Sequence, residues 1–266
     1  YFDLFGPTFY TDLNESQEID PGPNLMLHGV GEFVWEGLDG LPETLFYSPA
    51  NAGGWVDIDD DSDLDLFVIN DKPSQGFKSG VYLNNEHGWS VLPEERGLSV
   101  MLEGMGLAWG DLNNDGHIDF GITGWGVHSI LINSGENNWF DATQQWGLTS
   151  SFQRVVGWGI SFVDMDNDGD QDVLVAYGPA YQLNGDIGMG FGEANSETQY
   201  LTLYLNDGEE LQRVSNEHWD FGLPGNFRGF VTMDWNKDGY LDVLARDLNG
   251  KAGYYQSNCG INKSIE

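Results

Sequence analysis

Four stretches of the sequence set oxygen-bearing side chains at positions 1, 3, 5 and 9 of a nonamer, a spacing that can wrap a hard divalent cation. Asp164, Asp166, Asp168, Asp170 and Asp172 fill positions 1, 3, 5, 7 and 9 of the fullest copy. Asp111, Asn113, Asp115, His117 and Asp119 form a second, and Asp234, Asn236, Asp238, Tyr240 and Asp242 a third. Asp57, Asp59, Asp61, Asp63 and Asp65 form a fourth. Calcium takes roughly six to eight oxygens at about 2.3 to 2.6 Å, from carboxylates, amides and main-chain carbonyls. Side chains at positions 1, 3, 5 and 9 with the carbonyl of position 7 supply such a set, so His117 and Tyr240 would enter through their main chain. Position 6 must reverse sharply, which Gly116, Gly169 and Gly239 do freely and Ser62 does less readily. An EF-hand would need a glutamate at position 12 between two helices. Val68, Ile122, Val175 and Ala245 stand there instead. A fifth, weaker copy at Asp12, Asn14, Ser16, Ile19 and Asp20, with Gln17 at the reversal, reads better as an acidic turn. The expectation is three to five bound Ca²⁺ ions.

Each strong loop lies between two apolar runs, and these must hold it. Gly53–Val56, Gly106–Gly110, Gly157–Val163 and Gly229–Met233 precede the loops, and Leu66–Ile69, Phe120–Ile122, Val173–Ala176 and Val243–Leu244 follow. A further run ends in a polar turn at Asn85, Asn133 and Asn206. Gly-Leu pairs close the units at Gly40-Leu41, Gly97-Leu98, Gly147-Leu148 and Gly222-Leu223. The five copies begin at residues 12, 57, 111, 164 and 234. That period fits one four-stranded propeller blade. The sequence thus predicts an all-β fold, a single β-propeller domain over residues 1–266 with about five four-stranded blades. The repeats run roughly over 1–41, 42–98, 99–148, 149–223 and 224–266, each as strand, acidic loop, strand, connector, strand, turn, strand.

The segment Gly157-Trp-Gly-Ile-Ser-Phe-Val-Asp-Met-Asp-Asn-Asp-Gly-Asp-Gln-Asp172 resembles the FG-GAP/VCBS repeats of integrin α-subunit propellers. With Leu131 to Asn133, Phe140 to Thr143 and Gly147-Leu148, it is closest to the ASPIC/UnbV branch, which includes cartilage acidic protein. Tyr255 to Asn258 resembles the approach to a separate domain that often follows such propellers. The resemblance implies a calcium-stabilised propeller and says little about a ligand. Propellers of that family usually have seven blades. Five repeats leave open a closed five-bladed ring, a piece of a longer chain, or a remainder supplied by another chain or by copies of this one; the last two are the expectation.

The chain has 43 acidic and 10 basic residues, a formal charge of −33. Nucleic acid and anionic membrane surfaces are therefore excluded as natural partners. No apolar run approaches a membrane span. Cys259 is alone and carries no intrachain disulfide. Calcium sites of modest affinity fill where the free ion is near millimolar. The expected location is thus extracellular or at the cell surface, in a secreted or periplasmic protein. The chain starts at Tyr1 without a signal-like segment, which reads as a mature product or a piece of a longer one.

The predicted strand order puts Lys72, Lys78, Arg246 and Lys251 in connectors after the second strands, and Arg96, Arg154 and Arg228 in connectors between blades. This gathers cations on the face away from the loops, a surface for the carboxylates of a protein or glycan partner. The long connector over roughly 178–199, with Tyr181, Met189 and Phe191, is a second candidate surface. Trp55, Trp109 and Trp158 read as blade packing, and Trp125 with His128 as a surface pair. The five histidines lack zinc spacing. No Ser-His-Asp order or phosphate-binding glycine loop appears. The function expected is adhesion, scaffolding or protein interaction, with catalysis unsupported by the residues; the alternative is a glycan-binding lectin or polysaccharide-active enzyme on the same scaffold.

Overall fold

The computed structural model describes residues 42–148, 156–178, 200–214, 225–247 and 250–257, and five strands before residue 42. Those strands are β1 (Leu4–Gly6), β2 (Asp12–Leu13), β3 (Ile19–Asp20), β4 (Leu25–Gly31) and β5 (Val34–Gly37). They form a sheet of order β1-β4-β5 and the pair β2-β3. A single α-helical turn, Glu43–Phe46, follows.

From residue 50 the expected blade pattern appears. β6 (Ala50–Val56), β7 (Asp65–Asn70), β8 (Gly80–Asn85) and β9 (Gly88–Val91) form one sheet in sequence order. β10 (Gly104–Gly110), β11 (Asp119–Gly124), β12 (His128–Asn133) and β13 (Trp139–Asp141) form the next. β14 (Val156–Val163), β15 (Asp172–Gly178), β16 (Leu201–Asn206) and β17 (Leu211–Arg213) form a third. β18 (Phe227–Met233), β19 (Asp242–Asp247) and β20 (Ala252–Tyr255) form a three-stranded sheet. Sheets of four successive strands are propeller blades, and the chain is an all-β propeller fold. The expected blades number about five; among the described residues three sheets are four-stranded.

The second strands explain themselves. Each follows its loop directly and is apolar on both faces, as a strand covered on both sides must be. Every described residue of β7, β11 and β15 is buried. In β19, by contrast, Leu244 is exposed.

The chain forms two compact units, Tyr1–Leu107 with Asn133–Phe140, and Ala108–Ile132 with Asp141–Glu266. The first has a core of Met26, Leu45, Ala50, Leu66, Val68 and Tyr82. In the second, Leu112, Ile130, Val173, Val175 and Tyr204 belong to one core, and Met165, Leu174, Leu203, Phe227 and Val243 to another.

A β-bulge recurs six residues before the acidic loop. The register slips between Ala50 and Ala52, Gly157 and Gly159, and Phe227 and Gly229. The bulged residues are thus Asn51, Trp158 and Arg228, and bulges re-aim side chains. Asn51 Nδ2 donates to the Gly104 carbonyl at 2.8 Å and contacts Met105 Sδ. Arg228 lies 3.9 Å over the Trp158 ring. This places Trp158 out of phase with Trp55 and Trp109, which stand two residues before their loops. Phe162 takes that place in the third sheet and packs against the core.

Candidate metal centres

The four loops have nearly one backbone. Position 4 takes left-handed φ at Asp60 (62°), Asn114 (56°), Asn167 (59°) and Lys237 (63°). Position 6 does so again at Ser62 (75°), Gly116 (89°), Gly169 (99°) and Gly239 (90°). Ser62 therefore makes the reversal expected of the glycines.

Position 1 closes the turn. One Asp57 oxygen accepts the Ser62 N–H at 3.1 Å. Asp111 accepts from Asp115 and Gly116, both at 2.9 Å. Asp164 accepts from Asp168 and Gly169, and Asp234 from Asp238 and Gly239. Position 5 in turn accepts the N–H of position 7, as Asp61 from Asp63 and Asp168 from Asp170. Asp115 does so from His117 and Asp238 from Tyr240. At position 3, Asn113 and Asn236 donate through Nδ2 to Asp115 and Asp238.

Position 2 anchors three of the four loops below. Ile58, Leu112 and Met165 are buried, whereas Trp235 is 69% exposed.

Position 9 is the deepest group. Asp65, Asp119 and Asp172 have no exposed surface and Asp242 almost none. One oxygen of each accepts the N–H of position 2, at Ile58, Leu112, Met165 and Trp235. The other oxygen of Asp65, Asp172 and Asp242 accepts a main-chain N–H from Asn84, Asn206 or Ser257. Tyr254 Oη donates to Asp242 as well, at 2.8 Å. The sequence marks position 9 only as a ligand; its oxygens also clamp the loop to main chain 15 to 34 residues later. The asparagine ending a third strand was an available signal only at Asn206.

In two loops three carboxylates converge. Oxygens of Asp57, Asp59 and Asp61 lie within 4.8 Å of one another, as do those of Asp164, Asp166 and Asp172. Burial pushes Asp59 up, aided by Asp61, and pushes Asp166 up, aided by Asp168 and Asp164. Burial likewise raises Asp63, lifts Asp65 to about 6 and lifts Asp172 to about 7. Burial also works on Asp242, but donors from Tyr254, Ser257 and Trp235 outweigh it and hold this carboxyl low. Asp57, Asp59, Asp63 and Asp166 each keep one buried side-chain oxygen without a hydrogen-bond partner. Unpartnered buried acceptors beside other carboxylates fit a hard cation. The donor set is all oxygen, which suits calcium over zinc or copper.

The repeat frame matches a known family model over residues 57–122 and again over 111–175. These are FG-GAP-like repeats. The matches take in the 57, 111 and 164 loops. Comparison with curated proteins finds no relative. Among solved structures, the chain is similar to an Agrocybe aegerita lectin described for specific recognition of non-reducing terminal N-acetylglucosamine. Identity is 14% and the TM-score 0.47, over 95% of this chain and 65% of the lectin, so the chain spans less than two thirds of that length.

The other expected surfaces fare differently. His128 is buried, its Nε2 is 3.0 Å from Tyr177 Oη, and burial lowers it to about 4. It is a core histidine, not half of a surface pair. Trp109 is 41% exposed, while Trp55 packs on its core 6.0 Å from Trp89. Among the cations, Arg228 lies within β18 and Arg246 within β19, not in connectors. Several are engaged by their own chain. Lys72 pairs with Asp71 and Glu103, Lys78 with Glu94, and Arg96 with the Glu136 carbonyl. Arg246 donates to the Gly250 carbonyl. Arg154, the 179–199 connector and residues 14–17 of the first copy lie outside the described residues.

Proposed function

We propose that the chain is a calcium-stabilised propeller module for protein interaction outside the cell, its FG-GAP-like repeats being of the ASPIC/UnbV type. The observation that carries the calcium reading is the set of buried carboxylate oxygens without partners at Asp57, Asp59, Asp63 and Asp166, inside loops already closed by their own N–H groups. Positions 1, 3, 5 and 9 and the carbonyl of position 7 would hold the ion in each loop. The ion supplies charge neutralisation, which the crowded carboxylates otherwise lack. In the 111 and 234 loops the neutral amide oxygens of Asn113 and Asn236 would bind beside the carboxylates of Asp115 and Asp238.

The FG-GAP-like repeats matched over residues 57–122 and 111–175 support the interaction role. Native mass spectrometry before and after chelation tests the metal. Three to five ions that leave with EDTA support it, and a mass unchanged by calcium overturns it. Pull-down with extracellular proteins against an array of glycans tests the partner class, saturable sugar binding being the outcome that replaces protein interaction with a lectin role.

A further inference from the structure

Two loop asparagines that are not ligands reach into the neighbouring loop. Asn114 Nδ2 donates to Asp170 Oδ1 at 2.5 Å. Asn167 Nδ2 donates to the Gly239 carbonyl at 2.8 Å. Both asparagines are exposed and sit at position 4, in left-handed backbone that Asn tolerates better than most residues. Asp170 is position 7 of its loop and Gly239 position 6 of the next. Each bridge therefore runs from between two candidate ligands of one loop to position 6 or 7 of another. A second tie joins the first two loops, since Asn206 Nδ2 donates to the carbonyls of Leu112 and Gln171 at 2.8 and 3.0 Å.

We propose that Asn114 and Asn167 make calcium binding by the 111, 164 and 234 loops positively cooperative, an inference that rests on the calcium reading above. With the 164 loop loaded, Asp166 and Asp168 would be held together and Asn167 fixed between them. Asn167 then holds the Gly239 carbonyl before the 234 loop receives its ion. Ordering done by the first ion is not required again of the second, and the effect is reciprocal. The chemistry needs an amide. Asp60, at the same position of the 57 loop, has a carboxylate and cannot donate, and Lys237 ends the series with an ammonium.

The test uses the whole chain, stripped of metal and titrated with calcium, with native mass spectrometry counting each loaded species. Asn114→Gly and Asn167→Gly keep the left-handed backbone and remove only the amide. In the unaltered protein, partly loaded species should be depleted, consistent with roughly fivefold or greater enhancement between neighbours. The double variant should bind as many ions with a statistical distribution. Full loading with a statistical distribution in the unaltered protein overturns the coupling alone. Depletion that persists in the double variant also overturns it. No calcium at any concentration overturns the metal reading itself.

Discussion

The N–H of Asn206 donates to Asp172 Oδ1 at 2.9 Å, joining the end of one acidic loop to a strand 34 residues later. The other oxygen accepts from Met165, so the carboxylate ties its own loop to β16 inside the protein. Asp172→Asn keeps the shape but turns an NH₂ toward an N–H donor. We expect a loss of about 1 to 3 kcal/mol, the usual result of an unsatisfied buried group. Urea unfolding in EDTA measures this without the metal, and a loss below about 0.5 kcal/mol would deny the clamp.

Calcium removal should lower the melting temperature. At ten times Kd each site adds about 1.4 kcal/mol, so four independent sites add about 5 to 6 kcal/mol. For a chain of this size that corresponds to roughly 10 to 20 °C. A shift with EDTA below about 3 °C would contradict a structural role for the ion.

Ser62 and Gly169 permit a paired exchange at one backbone position. Ser62 holds φ of 75°, a conformation costing a non-glycine residue about 1 kcal/mol, part of which glycine gives back as chain entropy. Ser62→Gly should therefore raise stability slightly, by up to about 1 kcal/mol, and Gly169→Ser should lower it. Nothing lies within 4 Å of a Cβ built at Gly169, so that effect is one of backbone alone. Melting both variants in excess calcium checks the opposite signs.

Gly97 shows why a Gly-Leu pair closes a repeat. Its φ is 93°, and a Cβ there would stand 1.9 Å from the Trp139 carbonyl oxygen, while Leu98 beside it is buried. Gly97→Ala should cost about 3 kcal/mol or more, as backbone cannot yield cheaply. Denaturant titration measures it, and a change under about 1 kcal/mol would refute the close approach.

His128 sets a pH dependence away from the metal loops. Its Nδ1 accepts the Gly124 N–H, so Nε2 carries the proton given to Tyr177 Oη, which meets Tyr204 Oη in turn. Burial lowers its folded value from 6.5 to about 4. Between those values the unfolded chain takes up a proton and the folded one does not. Stability is therefore lost as pH falls through that window, by up to about 3 kcal/mol from this group. His128→Gln should flatten the slope of unfolding free energy between pH 6.5 and 4; an unchanged slope would show that His128 does not contribute.

The repeat, the all-β blades and the oxygen-rich loops were legible in the sequence. These are local properties: alternating ligand types, a reversal residue and an apolar run lie within a dozen neighbouring residues. Even Ser62 in place of glycine kept the turn, because the carboxylate of Asp57 closes it whichever residue reverses. Tertiary packing alone makes the position 9 aspartates buried clamps, since their second donors at Asn84, Asn206 and Ser257 lie 15 to 34 residues on. It also put His128 in the core, placed Arg228 over Trp158 through a bulge, and aimed Asn114 and Asn167 at the next loop. Such pairings depend on register and blade packing, which bring together residues that no local pattern links.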